Sequence, residues 1–303
     1  MFNPASSRPA VFRKARLLIV GCGDVGERVL AQLGTRLRVL ALTSSAERRG
    51  RLRELGARPL VGDLDRAVTL GRLGALAPRV LHLAPPPGHG DDDPRTRALL
   101  AALARGGVAE RIVYGSTSGV YGDAGGARFD ETRAVAPATD RARRRVAAEA
   151  RLRWHGRASG ATVTLLRIPG IYAAGRSGNP RDRVARATPV LRAEDDVYTN
   201  HIHADDLARI CIAALFRGRP QRVVHASDDS ELKMGDYFDL VADLHNLPRP
   251  PRIDRAAAAA ALGSATLGFM GESRRLVNHR LKTELRVRLR YPSVHEGLRA
   301  DLG

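Results

Sequence analysis

The sequence predicts an α/β protein: a Rossmann-type doubly wound parallel sheet with a smaller C-terminal substrate lobe. Two observations lead to this fold class. Short apolar runs alternate with helical patterns six times between residues 16 and 172, which is typical of strands and helices in a parallel sheet. A glycine-rich turn joins the first apolar run to the first helical pattern, as in the first strand–helix unit of that fold.

Each element is predicted from its own pattern. Residues 1–13 are expected to be a flexible lead-in. The strand patterns are, in chain order, RLLIV, LRVLAL, ARPLVGDL, RVLHLAPPP, RIVYGSTSGVYG and ATVTLLRIPGIY. The helical patterns are the amphipathic stretch after GCGDVG, then AERRGRLREL, RTRALLAALARGG and TDRARRRVAAEARLRW. Three prolines end the fourth strand, because proline has no amide hydrogen to donate to a neighbouring strand.

The pattern loosens in the second half of the chain. YTNHIHADDLARICIAALF predicts a short strand and a helix capped by aspartate, and RVVHASDD predicts one more strand. Residues 14–170 are assigned to the Rossmann domain, with 197–228 returning to it. Residues 171–196 and 229–303 are assigned to the smaller lobe. Within that lobe, residues 256–268 are either a mobile connector or an alanine-rich helix.

The charge of the chain is +18 over 303 residues, which would attract any polyanion. Only Lys14, Lys233 and Lys282 are lysines and the other basic residues are arginines, a bias typical of GC-rich coding. Aromatic residues are 4% of the chain, whereas nucleic-acid modules usually add aromatic stacking side chains. We therefore expect no specific nucleic-acid partner.

The absence of other signals narrows the class of protein. No apolar run is long enough to cross a bilayer, so we expect a cytoplasmic protein with no membrane partner. Cys22 and Cys211 give no disulfide framework, and no cysteine–histidine spacing is typical of zinc. His201 and His203 share a strand face, but we expect no metal site there.

Gly21, Gly23 and Gly26 form the pattern GxGxxG between an apolar run and a helix. The first glycine permits a sharp turn, the second lets the backbone approach a pyrophosphate, and the third lets the helix pack closely. The helix N-terminus adds free amide hydrogens and a partial positive charge. We therefore predict a dinucleotide site here, with Asp24 and Val25 of the turn also at the cofactor.

The end of the second strand bears on the choice of cofactor. An NAD site usually has an acidic residue there, to bind the ribose hydroxyls. This strand continues as ALTSSAERR, where Ser44 and Arg48 can bind a 2′-phosphate. We therefore predict NADP, and NAD stays open because Glu47 is near. Asp63 either binds the adenine amino group or caps a turn.

These motifs, in this order, make the chain resemble the extended short-chain dehydrogenase/reductase family, also called the NAD-dependent epimerase/dehydratases. The resemblance covers roughly residues 15–300 and rests on GCGDVG, VGDL, HLAPPP, STSGVYG, LLRIPGIY, HIHADDLA, SRRLVNHRL and LRYPSVHEGL. It implies that Leu64, Ala84 and Pro169 line the cofactor. It also implies that Ile171 and Arg176 lie at the substrate.

The resemblance also assigns the catalytic positions. Family members carry a serine or threonine after the fifth strand, which matches Thr117, with Ser116 beside it at the substrate. They carry Tyr-x-x-x-Lys on the next helix, with the lysine four residues before a glutamate. That glutamate matches Glu149, so the lysine position is Arg145 and the tyrosine position is Arg141.

The helix that carries these arginines has two predicted stripes. Four residues spaced by four predict an apolar stripe that packs on the sheet: Ala142, Val146, Ala150 and Trp154. Arg141, Arg145 and Glu149 form an adjacent stripe, predicted either to face the cofactor or to form an ion-pair network. The other arginines of this helix are expected to be solvated: Arg143, Arg144, Arg151 and Arg153.

Arginine changes the chemistry of the two positions. It has donors but no acceptor and stays charged in proteins, so it cannot transfer protons near neutral pH. We therefore assign Arg145 to the cofactor and Arg141 to an anionic substrate. Tyr121 is the nearest replacement tyrosine, or else a packing residue. In the second lobe, Arg274, Arg275 and Asn278 either meet an anionic substrate or form a solvated basic surface.

The predicted function is that of an atypical NADP-binding oxidoreductase or epimerase/dehydratase acting on a small anionic molecule, with Thr117 polarising a carbonyl. The family's diphosphate-binding arginine falls at Thr199, which argues against a nucleotide-sugar substrate. The alternative is a regulator that senses NADP and lacks catalysis. The arginines at positions 141 and 145 favour this alternative, and the presence of a substrate lobe argues against it. A polyanion-binding protein is supported only by charge, and a homodimer is left open.

Overall fold

Seven parallel strands form the central sheet of the computed structural model, which describes residues 15–107, 109–263, 267–268 and 270–302. The predicted lead-in, residues 1–13, lies outside the described residues. The sheet strands are β1 (Arg16–Val20), β2 (Arg38–Thr43), β3 (Arg58–Val61), β4 (Arg79–His82), β5 (Arg111–Thr117), β7 (Thr162–Ile168) and β12 (Arg222–His225). Their order is β12-β7-β5-β4-β1-β2-β3, so the predicted doubly wound sheet is confirmed.

Shorter strands pair in twos outside this sheet. They are β6 (Arg128–Phe129), β8 (Gly170–Tyr172), β9 (Val190–Leu191), β10 (Tyr198–Thr199), β11 (His201–His203), β13 (Leu232–Lys233), β14 (Arg252–Ile253) and β15 (Arg275–Leu276). The helices are α1 (Asp24–Leu33), α2 (Arg49–Glu54), α3 (Pro94–Ala104), α4 (Asp140–Ser159), α5 (Pro180–Ala185), α6 (Ala204–Arg217), α7 (Met234–Leu244), α8 (Arg255–Ala261), α9 (His279–Thr283) and α10 (Val294–Ala300). None of these described helices is long and apolar enough to cross a membrane.

The sheet is buried on both faces. Along β1, Leu17 and Ile19 pack into one apolar cluster, while Leu18 and Val20 pack into the other. Alternation of side chains across the sheet explains why the sequence here is a continuous apolar run. Because the seven strands are parallel, their carboxyl ends meet at one edge of the sheet. The strand order reverses beside β1, and such folds bind their ligands at this point.

A third apolar cluster belongs to the smaller lobe. It includes Tyr172, Val190, Met234 and Val294, from β8, β9, α7 and α10. The predicted sixth strand, ATVTLLRIPGIY, is divided at Pro169: β7 stays in the main sheet and β8 pairs with β11. The alanine-rich alternative holds for residues 256–261, which lie in α8, whereas 264–266 lie outside the described residues.

Two sequence-based expectations for helices are wrong. The cap of α6 is His203, whose ring nitrogen accepts the amide of Asp205 at 3.2 Å, and the predicted aspartate cap lies within the helix. On α4 the apolar stripe fails, because Ala150 is exposed and Trp154 is 66% exposed. A spacing of four residues drifts by about 40° per step on a helix with about 3.6 residues per turn.

The true buried face of α4 runs through Ala142, Ala148, Glu149 and Leu152. Arg144 also lies on it, 8% exposed, and donates to the carbonyl of Gly90. The expectation that Arg144 is solvated is therefore wrong.

The register of α4 predicts a contrast between two neighbouring residues. Leu152→Ala should lower the free energy of unfolding by about 2–5 kcal/mol, because it removes a fully buried side chain. Trp154→Ala should change it by about 0.5 kcal/mol or less, because that side chain is mostly exposed. Urea unfolding of both variants measures the difference, and a larger loss for Trp154→Ala would contradict this register.

Candidate functional site

The glycine-rich turn has the geometry of a phosphate cradle. Gly21 has φ +78°, and a Cβ there would lie 2.4 Å from the backbone nitrogen of Ala84. Gly23 is the N-terminal cap of α1, and a Cβ there would meet no protein atom within 4 Å. A Cβ on Gly26 would lie 3.0 Å from the sulfur of Cys22. The turn is thus closed on the protein side and open at Gly23, where the backbone can approach a ligand.

Two residues of the turn have different surroundings. Asp24 is exposed at the first position of α1 and forms ion pairs with Arg28 of the same helix and with Arg176. Arg176 belongs to the segment after β8, so this pair links the turn to the smaller lobe. Val25 is half-buried against the core cluster that includes Leu17.

The tip of β2 carries the polar groups expected for cofactor selection. Ser44 is exposed, and Glu47 accepts a hydrogen bond from the hydroxyl of Ser45, which lowers the pKa of that carboxyl. Arg48 donates to Glu27 of α1 at 2.7 Å. The hydroxyl of Ser44 and the guanidinium of Arg48 therefore lie at the strand end, and Glu47 is held by its neighbour.

Residues after β3 and β4 complete this side of the sheet edge. Asp63 accepts the amide of Asp65 at 2.9 Å, which is the turn-capping contact anticipated as an alternative to adenine binding. Leu64 packs against the core cluster below. Ala84 is 8% exposed and abuts Gly21.

The loop after β5 distributes its hydroxyl groups differently. Thr117 caps a 3₁₀ turn, Ser118–Tyr121, by accepting the amide of Gly119 at 3.3 Å, and its side chain lines a cavity. Ser116 is buried and donates to Glu149 at 2.6 Å. Tyr121 is fully buried, and its hydroxyl lies 2.6 Å from Nε2 of His225. This position gives Tyr121 the packing role that was its alternative.

The cavity lies at the strand ends between the two lobes and has a volume of about 740 Å³. Pro169 and Ile171 line it, as expected for residues at a nicotinamide and a substrate. Its arginines come from both lobes: Arg141, Arg176, Arg183 and Arg274. Its far wall is aromatic, with Tyr172, His201, Tyr237 and Phe238.

Arg141 and Arg145, which the resemblance assigns to the family's tyrosine and lysine positions, lie one helical turn apart. Arg141 lines the cavity, and burial lowers the pKa of its guanidinium, as do the neighbouring charges of Arg145 and Arg144. Arg145 donates to the carbonyl of Gly115 at 2.7 Å and to the hydroxyl of Tyr114 at 3.0 Å.

The predicted ion-pair network of these arginines with Glu149 is not what α4 forms. Glu149 binds Arg167 of β7 through two contacts of 3.1 and 2.7 Å. The charge of Glu149 is thus compensated from the sheet, and Arg145 contacts neutral groups.

The second lobe supplies polar groups that the sequence only partly revealed. Arg274 is 7% exposed, lines the cavity and bonds Glu272 at 2.6 Å, so it is no solvated surface residue. Arg275 instead bonds the carbonyl of Gly126, and Asn278 is buried against the carbonyl of Ser227. The described residues contain no group of acidic, histidine and cysteine side chains that could hold a metal ion.

Comparison with known proteins identifies the family. The sequence profile of the NAD dependent epimerase/dehydratase family matches residues 18–226. The chain belongs to this family. No curated protein matches the sequence.

Solved structures of the epimerase/dehydratase fold superpose over almost the whole chain. A functionally unknown conserved protein from Silicibacter pomeroyi is 28% identical, with a TM-score of 0.79 over 94% of this chain and 97% of that one. UDP-glucose 4-epimerase from Thermotoga maritima, solved with UDP-glucose, is 18% identical, with a TM-score of 0.78 over 95% and 97%. UDP-glucuronic acid 4-epimerase from Bacillus cereus, in complex with NAD, is 16% identical, with a TM-score of 0.74 over 94% and 97%. The last two show the fold alone.

Sequence reasoning missed two polar groups of the cavity. Glu272 had no signal beyond its place two residues before Arg274. His201 was considered only as a metal ligand, yet it is 6% exposed, stacks on Tyr237 at 4.0 Å and leaves Nδ1 without a hydrogen bond. Burial lowers the pKa of His201 to about 3, so its ring is neutral.

The two glycines of the turn predict opposite defects. Gly23→Ala should change the free energy of unfolding by about 0.5 kcal/mol or less, because the added methyl group meets no protein atom. It should weaken cofactor binding at least about tenfold, because that methyl group occupies the space of the pyrophosphate. Gly21→Ala should lower stability by about 1–3 kcal/mol, because of its positive φ and the contact with Ala84.

Thermal unfolding and calorimetric cofactor titration of both variants test this pair. Normal NADP and NAD binding by a folded Gly23→Ala variant would show that no pyrophosphate reaches this turn.

Proposed function

We propose that the chain is an NADP-binding oxidoreductase or epimerase/dehydratase-type enzyme that acts on a small anionic molecule. One observation supports this most: Arg141 and Arg274 line the same cavity as Thr117 at the carboxyl ends of the strands. Guanidinium groups in a partly buried site bind carboxylates and phosphates through paired, charge-assisted hydrogen bonds. A neutral sugar needs no such cations.

The cofactor would be held at the other end of the cleft. Gly23 leaves the space that a pyrophosphate needs, while Ser44 and Arg48 offer a hydroxyl and a cation to a 2′-phosphate. When bound, NADP supplies a site that accepts or returns a hydride. Arg145, one turn below Arg141, would donate to the ribose hydroxyls next to the nicotinamide.

The proposed role of Thr117 follows from the hydrogen bond that its side chain accepts. Its Oγ1 accepts the amide of Gly119, so its own hydroxyl hydrogen is available to a ligand in the cavity. A substrate carbonyl or hydroxyl oxygen placed there would receive this hydrogen bond. Pro169 and Ile171 would exclude water from the same space.

A second candidate function is an NADP-sensing protein without catalysis. It is supported by the proposed assignment of Arg141 and Arg145 to the tyrosine and lysine positions, since arginine transfers no proton near neutral pH. The cavity with its cations argues for a ligand in addition to the cofactor. Turnover of any anionic substrate would separate the two functions.

The charge of the chain supports no sequence-specific nucleic-acid function. Several surface arginines pair with carboxylates, as Arg95 does with Asp65 and Arg249 with Asp243. We propose that any binding to nucleic acid is independent of sequence and weakens steeply with salt.

Cofactor preference is the first test. NADP should bind at least about tenfold more tightly than NAD, or about 1.4 kcal/mol, because the tip of β2 presents Ser44 and Arg48 to a 2′-phosphate. Titration calorimetry with both cofactors measures this ratio. Arg48→Ala should reduce it, whereas equal or tighter binding of NAD would assign the ribose to Glu47.

The arginines of α4 give a second test. Arg145→Ala should weaken NADP binding by about 1.5–3 kcal/mol, the value of a hydrogen bond to a charged group. Arg141→Ala should leave the cofactor less affected and weaken the binding of oxalate, used as an anionic probe. Arg143→Ala is the matched control, because Arg143 lies on the same helix and pairs only with Asp140 at the surface.

Calorimetry of the three variants decides this test, with melting temperatures to confirm folding. If folded Arg145→Ala binds NADP as the parent does, Arg145 is a structural residue that ties α4 to β5.

A further inference from the structure

Glu272 is the one carboxylate among the described residues that line the cavity. Its side chain is 13% exposed, and it accepts a hydrogen bond from Arg274 at 2.6 Å. The negative charge of Glu272 also raises the pKa of Arg141, although burial lowers that pKa by more. A single carboxylate thus lies among the cations that the proposed function assigns to the substrate.

Glu272 faces the same small volume as Thr117. A Cβ built on Gly119 would lie 3.6 Å from Oγ1 of Thr117 and 4.0 Å from Oε2 of Glu272. Because Gly119 has no side chain, a ligand atom can enter between these two oxygens. One of them belongs to a hydroxyl group that can donate, and the other to a carboxylate that can accept.

Ser273, the residue after Glu272, is held by two other segments of the chain. The amide of Ser273 donates to Asp123 at 2.7 Å, and the amides of Ala124 and Gly126 donate to the carbonyl of Ser273 at 3.1 and 3.0 Å. Strand β15 then continues the pairing with β6. On the other side, the amide of Tyr198 donates to Oγ of Ser273 at 3.0 Å. Such support is what a group that must stay in place during a reaction requires.

We propose that Glu272 is the base of the cavity and takes over the proton transfer that Arg141 cannot perform. This proposal rests on the proposed function. The substrate would be a secondary alcohol that carries a carboxylate or phosphate. Arg141 holds the anionic group, and Thr117 donates a hydrogen bond to the alcohol oxygen.

The step balances with the oxidised cofactor as electron acceptor. The alcohol O–H bond breaks and its proton moves to the Glu272 carboxylate. The C–H bond at the same carbon would break, its hydrogen and electron pair would pass to the oxidised NADP that the site would hold, and a carbonyl group would form. Glu272 then returns its proton to water at the cavity mouth.

Among the described residues that line the cavity, His201 is the other group that can accept a proton. Its ring lies on the aromatic wall and stacks on Tyr237. Deep burial keeps it neutral, which also makes it a weak base. Glu272, beside Thr117 and Gly119, has the position that the reaction needs.

Glu272→Gln tests the proposal with little structural change, because the amide oxygen can still accept from Arg274. Glu231→Gln is the matched control, since Glu231 also pairs with arginines, Arg128 and Arg275, but lies outside the cavity lining. Parent and variants are assayed with NADP and a panel of lactate, malate, tartrate and 3-hydroxybutyrate. Binding of NADP and of oxalate is measured by calorimetry.

We expect the parent to oxidise at least one hydroxy acid, and Glu272→Gln to lose about 100-fold or more in kcat/KM. NADP binding should stay within about twofold, and oxalate should bind about threefold more tightly, because a like charge has been removed. Glu231→Gln should match the parent in all three measurements.

Other outcomes overturn distinct claims. If Glu272→Gln keeps its activity, Glu272 is no base, and His201→Asn becomes the variant to examine. If its oxalate affinity is unchanged, the carboxylate does not face the ligand and this inference fails, while the proposed function stands. If the parent binds NADP but oxidises none of the panel, the inference fails. That outcome would support the second candidate function, an NADP-sensing protein without catalysis. If the parent binds no NADP, the proposed function itself fails.

Discussion

The buried carboxylate of Glu149 is the constraint on which the candidate site depends. Removing a carboxylate from water costs several kcal/mol unless its charge and its lone pairs are satisfied. Here Arg167 supplies two hydrogen bonds from β7, and Ser116 supplies a third from β5. These contacts tie the middle of α4 to β5 and β7. Because Glu149 is fixed, the first turns of the helix stand over the end of β5, and Arg141 reaches the cavity beside Thr117.

The same ion pair determines which charges remain available to a ligand. If Arg145 neutralised Glu149, the helix would present little positive potential to the cleft. Arg167 performs that task, and it also lies 4.6 Å above the ring of Tyr121. The hydrogen bonds that hold Arg145 go to a carbonyl group and a phenol hydroxyl, which are both neutral. Its positive charge is therefore not cancelled by them. An arginine held by neutral partners is oriented and still able to attract an anion.

Local patterns explain what could be predicted from the sequence. Periodicity and the glycine spacing report contacts between near neighbours, so the sheet, the sharp turn at Gly21 and the close packing at Gly26 followed from the sequence. The α4 stripe failed because a four-residue spacing leaves the buried face after two turns, and the aspartate cap failed because His203 accepts the amide first. Glu272 was beyond reach, because its place beside Gly119 arises from pairing between distant segments that carry no common pattern.

The abundance of arginine affects the net charge and the candidate site in separate ways. As composition, it raises the net charge, while pairs such as Arg222 with Glu284 cancel the local potential of individual arginines. As function, what matters is the partner of each guanidinium, since a carboxylate partner cancels the potential that a carbonyl partner leaves intact. Among the arginines of the cavity, Arg274 is informative because its carboxylate partner, Glu272, also lines the cavity. That pair places a cation beside the carboxylate that we propose as the proton acceptor, a combination that the proposed reaction at an alcohol needs and that binding an anion alone does not.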